Sequence, residues 1–322
     1  MDEKIDIYCE FGFLKTFCET QNNKIWWNYY DLLCGSSSRI LFIDAKEKKF
    51  YDYLDKNANE STMLFLTELL DSKYNGTNKQ LEFNPKEGEY MKEYIQDDDG
   101  EEYFHSKDQV IFLMDREINE CKKMEKDYGL LFISKKNFKD YNLLFSADMQ
   151  DINEKSDLWE CVKDYRLPCN RIILVDNFIM TEEIDKIEEN LHSLFNALLP
   201  LELNKMKFFI DIFTKKPDNR DERVEEKKEK IKKCIKNLRL YEIEPEIHIE
   251  HEPEDHDRYL LTNYGLFTCG YGFVLTELQR RKGTTLNFFP ITHCSISKKN
   301  DVYLRAQIIR DKKLNKLKTK QL

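Results

Sequence analysis

Glycine and proline are scarce in this chain, ten and seven among 322 residues, too few for long flexible linkers, collagen-like repeats or low-complexity tracts. No apolar run approaches the roughly 20 residues that span a bilayer, which excludes a helical transmembrane segment by sequence. The opening Met1-Asp2-Glu3-Lys4 lacks the basic-then-apolar order of a signal peptide, so the expectation is a cytoplasmic protein. Nine cysteines occur, an odd number, and none form a Cys-x-x-Cys pair. That scatter fits reduced, buried thiols rather than a disulfide framework or a structural zinc site. Positive charge is also in deficit. A net charge of -9 argues against an indiscriminate nucleic-acid coat while leaving room for a local basic cleft.

What is abundant is core material: 41% hydrophobic and 13% aromatic residues, in a length that exceeds the usual single-core range and predicts two domains. Basic residues gather late, in Arg280-Arg281-Lys282, Lys298-Lys299 and the tail from Arg310 through Lys320, whereas Asp97-Asp98-Asp99-Gly100-Glu101-Glu102 is a compact acidic loop. The asymmetry points to the C-terminal half as the phosphate-facing one; the competing reading of each run is a solvated face.

The pattern predicts an α/β protein made of two α/β domains, residues 1–150 and 159–322. In the first, Ile5 to Glu10 reads as a strand closed by an acid, Phe11 to Leu14 as the start of a helix, and Arg39 to Ile43, Gln109 to Met114 and Gly129 to Ser134 as buried strands. Helices are expected over Ser61 to Leu70 and Arg116 to Lys126, and alternating strands and helices imply a largely parallel sheet. The polar stretch 75–107 reads as an insertion over the sheet edge, and Phe145 to Leu158, without a period, as the junction. A second alternation follows: a short helix from Trp159, strand Arg171 to Asp176, a helix after Thr181-Glu182-Glu183, strand Lys207 to Phe213, a helix over Asp218 to Leu240 and strand Glu246 to His251. Tyr259 to Asn263 reads as one more strand.

The segment just before that last strand looks more like chemistry than packing. His256, Arg258 two residues on and Asn263 seven residues on can together hold a phosphate, because a histidine can attack phosphorus while a cation neutralises the non-bridging oxygens. In an extended chain His256 and Arg258 share a face. Asn263 orients an imidazole but stabilises an imidazolium less than a carboxylate would. Three readings stand side by side: a turn histidine paired with Asp255 or Asp257, a phosphate ligand, and a catalyst. A metal reading of His248, His251 and His256 is disfavoured, since His248 and His251 fall on opposite faces of an extended strand.

The order of strands and helices from Ile172 onward, with His256-Asp257-Arg258, Asn263-Tyr264-Gly265 and Gly270-Tyr271-Gly272, resembles a phospholipase-D-like domain, in particular the non-catalytic version at the C-terminus of MIT-domain-containing proteins. The resemblance covers residues 168–275. It implies a site of His256, Arg258 and Asn263, with phosphate bound by His256, Arg258, Gly270 and Gly272 and no cofactor required. Active members carry His-x-Lys-x4-Asp twice per site; here Arg258 replaces Lys and Asn263 replaces Asp. No second copy is present in the sequence, for His293 precedes Asn300 by seven residues but Ser295 stands where the cation belongs. An active site of this kind would therefore pool two copies in a homodimer.

In the first 145 residues, Glu10, Asp115 and Glu117 lie at or near strand ends, where clustered acids at the carboxyl edge of a parallel sheet bind Mg2+ or Mn2+ and support phosphodiester cleavage. Together with Gly129 to Phe138 this resembles PIN-like nucleases, although Lys136 and Asn137 stand where those usually offer an acid. The group Trp26-Trp27-Asn28-Tyr29-Tyr30 reads as core or interface rather than a base-stacking platform. The combined expectation is a nuclease-like protein acting on or binding phosphodiesters, with Glu10, Asp115, His256, Arg258 and Asn263 as catalytic candidates, in a prokaryotic defence setting. The alternative is an inactive phospholipase-D-like module that binds nucleic acid, acidic lipid at a membrane periphery, or a protein partner.

Overall fold

Short runs of β-branched and aromatic residues build two separate sheets, one wholly parallel and one mixed. The computed structural model describes residues 4–20, 24–35, 38–56, 60–73, 81–83, 109–217, 223–250, 258–292 and 306–313. By its contacts the chain divides into two compact units, Met1–Glu125 with Leu130–Phe145, and Lys126–Gly129 with Ser146–Leu322.

The first unit holds β1 (Ile5–Cys9), β2 (Ser38–Phe42), β3 (Leu81–Phe83), β4 (Val110–Met114) and β5 (Leu131–Ser134), in the order β3-β2-β1-β4-β5. Every pair is parallel. Its helices are α1 (Phe11–Glu19), α2 (Lys24–Cys34), α3 (Glu47–Lys56), α4 (Glu60–Lys73) and α5 (Ile118–Tyr128). All residues of β1, β4 and β5 are buried, so these strands are covered on both faces; β4 is wholly apolar, while Asp6 of β1 pairs with Arg39 and Ser134 of β5 donates to the carbonyl of Arg116. From β1 the chain steps outward to β2 and β3, then returns to the other side of β1 for β4 and β5. The reversal makes the carboxyl ends of β1 and β4 a topological switch point, where open sheets of this kind leave a crevice.

Aromatic rings fill the rest of this unit's core. Phe17 stacks on Trp26 at 5.0 Å and Phe112 on Phe132 at 4.4 Å, each buried ring contributing about 1.5–3 kcal/mol. Trp26 and Tyr29 are buried while Trp27 is half exposed. One expectation changes here. Residues 81–83 do not lie over the sheet edge; they form it, pairing with β2. Three residues are too short a run to show a period, even though Leu81, Glu82 and Phe83 alternate. The rest of the polar stretch, with the acidic loop at 97–102, lies outside the described residues.

The second unit holds β6 (Asp148–Ile152), β7 (Arg171–Val175), β8 (Phe208–Lys215), β9 (Ile243–Glu250), β10 (Tyr259–Leu261), β11 (Gly265–Cys269) and β12 (Thr284–Pro290). Their order is β6-β12-β11-β10-β7-β8-β9, with β7, β8 and β9 parallel and all other pairs antiparallel. The parallel crossovers are made by α6 (Ile184–Leu198) and α7 (Val224–Lys236), and α8 (Glu277–Lys282) precedes β12 with a Thr276–Gln279 capping box. Residues 306–313 are helical, with Ala306, Ile309, Arg310 and Lys313 buried.

Several local expectations shift in this unit. The stretch read as an irregular junction contains β6, whose only buried residue is Ile152, so no alternation was there to see. The helix expected over 218–240 spans Val224–Lys236; residues 218–222 are not described, and Leu238 lies past the end with its N–H on the carbonyl of Ile235. Thr181 does not cap α6. Its hydroxyl donates to the carbonyl of Phe178 at 2.7 Å, and Glu183 occupies the cap position without a side-chain bond. Strand β10 stops at Leu261 because Thr262 turns the chain, accepting the N–H of Gly265 on its hydroxyl at 3.0 Å.

Candidate functional site

At the end of β1, Glu10 donates its N–H to Leu113 at 2.8 Å and accepts the N–H of Phe13 at 3.0 Å, which starts α1. Its side chain therefore leaves the sheet at the carboxyl edge, beside β4. There Oε2 accepts the N–H of Asp115 at 2.6 Å, and Oε1 accepts Arg116 Nε and Nη2 at 3.2 and 3.1 Å. Burial pushes the Glu10 carboxyl up in pKa, outweighing Arg116 and the backbone bond.

Asp115 follows β4 and pairs with Lys135 from the end of β5. Its carboxylate fills the space that Gly12 leaves open: a Cβ there would come to 1.6 Å from Oδ2. Asp44, two residues past β2, accepts the N–H of Phe11 on Oδ1 at 2.6 Å, at the positive end of α1, with Lys49 at 3.9 Å from Oδ2. Three strand ends of one parallel sheet therefore each carry a carboxylate. Glu117 behaves differently. It is exposed and pairs with Lys136 at 2.5 Å, while its N–H bonds Glu120 at the start of α5. Among the described residues no three His, Cys, Asp or Glu side chains form a metal-ligating group, so Glu10, Asp115 and Glu117 do not assemble as a set. Glu117 begins a helix instead of ending a strand, and its side chain is spent on Lys136.

In the second unit His256 lies outside the described residues, as do Asp255, Asp257, His251, His293 and Asn300. Arg258 and Asn263 are both described, and the strand pairing separates them. Tyr259 pairs with Val175 and Leu261 with Ile173 in antiparallel register, so Arg258 adjoins the carboxyl end of β7 and Asn263 its amino end. Asn263 is fully buried: Oδ1 accepts the N–H groups of Asn170 and Arg171 at 3.1 and 3.2 Å, and Nδ2 donates to Asn170 Oδ1 at 2.9 Å. Its role is to hold the entry into β7. A side-by-side placement of Arg258 and Asn263, expected from the His256, Arg258 and Asn263 pattern, does not form.

Arg258 is fixed in one posture. Nη1 donates to the carbonyl of Gly270 at 2.6 Å, the guanidinium lies over the ring of Phe178 at 4.6 Å, and Nε is 3.9 Å from Asp176. Asp176 is buried and accepts the N–H groups of Phe178 at 3.0 Å and Phe273 at 2.7 Å. Gly272 has φ +93°, and a Cβ on it would meet Asp176 Oδ2 at 2.3 Å and Arg258 Cδ at 2.9 Å. Its N–H is used on the carbonyl of Cys269. Gly270 and Gly272, expected to present N–H groups to a phosphate, serve instead to seat Arg258 and Asp176.

The sequence reading missed Asp44 and a buried relay in the second unit. Asp44 carried the same strand-end signal as Glu10. In the relay Asp211 accepts Arg171 Nη2 at 2.5 Å and bonds His248 Nε2 at 3.0 Å, with His248 stacked on Phe213 at 4.5 Å. Burial acts to raise the Asp211 carboxyl, but the His248 bond and the Arg171 charge prevail and hold it below its usual value. An acid in the middle of Phe208-Phe209-Ile210-Asp211-Ile212-Phe213 was the available signal, since such a position needs a partner. Compared with protein-family models and with curated proteins, the chain matches none.

Proposed function

We propose that this protein acts on phosphodiesters, with the carboxyl edge of the parallel sheet as the reacting centre. The observation that carries the reading is the placement of the Glu10 and Asp115 carboxylates at the switch point between β1 and β4, with Gly12 stripped of a side chain to admit Asp115. The donor set fits Mg2+ or Mn2+. These hard cations need only one or two carboxylates, taking their other ligands from water and substrate phosphate. Glu10 and Asp115 would hold the cation, and Asp44 would add to the negative field. When bound, such a cation neutralises a phosphoryl oxygen and makes a water acidic enough to attack. Arg116 and Lys135, already at these carboxylates, are placed to orient phosphate oxygens from the protein side.

The test is cleavage of labelled nucleic acid and of a simple aryl phosphodiester with Mg2+, Mn2+ or chelator. Cleavage supported by metal and lowered about a hundredfold or more in Glu10→Gln, with melting unchanged, is the expected result. Cleavage indifferent to Glu10→Gln or to chelator would overturn the reading. A second reading, a non-catalytic phosphate-binding module of phospholipase-D-like type in the other unit, is favoured by the fixed Arg258 alone. It expects salt-sensitive binding of phosphate-bearing ligands without turnover, weakened in Arg258→Ala.

A further inference from the structure

Beside the acidic edge of the first unit lies a cavity of about 550 Å³ with the opposite charge. Five lysines and two aspartates line it, in a chain whose net charge is -9. Lys49, Tyr53 and Lys56 lie on α3 at i, i+4 and i+7, so they share one face and extend over about 10 Å of helix. Opposite them, Lys15 of α1 places its ammonium 5.4 Å from the Tyr53 ring and 5.1 Å from that of Phe11. Lys46, Lys48 and Lys56 are exposed and, among the described residues, meet no carboxylate within ion-pair distance. Lys49 is the exception, 3.9 Å from Asp44, and with Asp52 also in the lining five lysines against two aspartates leave an excess of three positive charges around an aromatic ring, more than one phosphate group needs.

We propose that this groove binds the backbone of a single-stranded nucleic acid and leads it to the Glu10 edge. The proposal rests on the reading of that edge as a phosphodiester site, and names its substrate. Continuity carries it: Asp44 lines the groove and also holds the N–H of Phe11, the residue next to Glu10. Lysines spaced along a helix suit successive phosphates, and a tyrosine between them offers a ring to a base, which a paired duplex would keep stacked inside itself.

The experiment measures binding of a labelled single-stranded oligonucleotide, as DNA and as RNA, by fluorescence anisotropy in chelator across a salt series. The double variant Lys46→Glu/Lys48→Glu is compared with Lys122→Glu/Lys123→Glu, an identical charge change at exposed positions of α5 outside the groove. The groove variant is expected to bind about tenfold more weakly or worse, with the slope of log affinity on log salt reduced by about 1.4 for two lost phosphate contacts. The control should bind as the wild type does. Equal weakening in groove and control variants, no binding by the wild type, or preference for a duplex of the same sequence would each overturn the proposal. Binding lost only in the groove variant, with no cleavage under any metal, would leave the groove standing and remove the proposed reaction.

Discussion

Both units set a glycine against a strand-end aspartate, and they use the pair in opposite ways. In the first, Gly12 makes room for Asp115, whose side chain is over a third exposed and held by a lysine that can move. In the second, Gly272 makes room for Asp176, whose carboxylate is sealed off and occupied by two backbone N–H groups. The same local device thus yields a carboxylate left available at a crevice and one built into the frame. Availability, more than the presence of an acid at a strand end, separates a site from architecture.

The contrast is broken most severely by removing each acid. Asp176→Ala strands two buried N–H groups and is expected to cost about 2–4 kcal/mol in urea unfolding, whereas Asp115→Ala loses a partly exposed ion pair and stays within about 1 kcal/mol of wild type. Equal costs would erase the distinction. Substituting the glycines sharpens it. Gly272→Ala forces a side chain into a positive-φ position against Asp176 and should cost about 2–3 kcal/mol. Gly12→Ala displaces the Asp115 carboxylate and also meets its Cβ at 2.7 Å, which no rotamer relieves, but the backbone there is helical, so the cost should be about 1–2 kcal/mol, below that of Gly272→Ala, while metal-supported cleavage is lost.

The first unit also holds a half-buried carboxyl away from the crevice, and it provides a test confined to one pH range. Glu125 accepts the N–H of Phe132 on the edge strand β5 at 3.3 Å and the hydroxyl of Tyr141 at 3.2 Å. Burial raises its pKa from the ordinary 4.5 to about 7. The folded state therefore favours the protonated form: its contribution is full below pH 4.5 and is lost as pH rises through about 7. Over that window stability should fall by about 2–3 kcal/mol through this group, and Glu125→Gln should flatten the slope in melts taken across it.

Much of the architecture was legible because the central strands are mostly apolar runs and the helices carry clear stripes; Ile5 to Cys9, Val110 to Met114 and Ile184 to Leu198 needed no tertiary knowledge. Two of the edge strands were not. Leu81–Phe83 and Asp148–Ile152 are held by backbone pairing to a neighbour, with few buried side chains to announce them. At the site, Glu10 and Asp115 were readable from position alone, but their partners Arg116 and Lys135 and the crevice beside Gly12 depend on strand order. Arg258 and Asn263 looked like one constellation because spacing along the sequence says nothing about which end of a neighbouring strand each residue will reach.

The pairing of β6 with β12 also has a consequence in time. As the ribosome extends the chain, every strand of the first unit has emerged by residue 134, and its sheet can close while the remainder is still being made. The second sheet must wait. Its earliest strand, at 148–152, finds its partner only at 284–290, so for well over a hundred residues of synthesis the rim of that sheet stays unformed. Newly made molecules thus pass through an interval in which one half is finished and the other still depends on the rest of its own message.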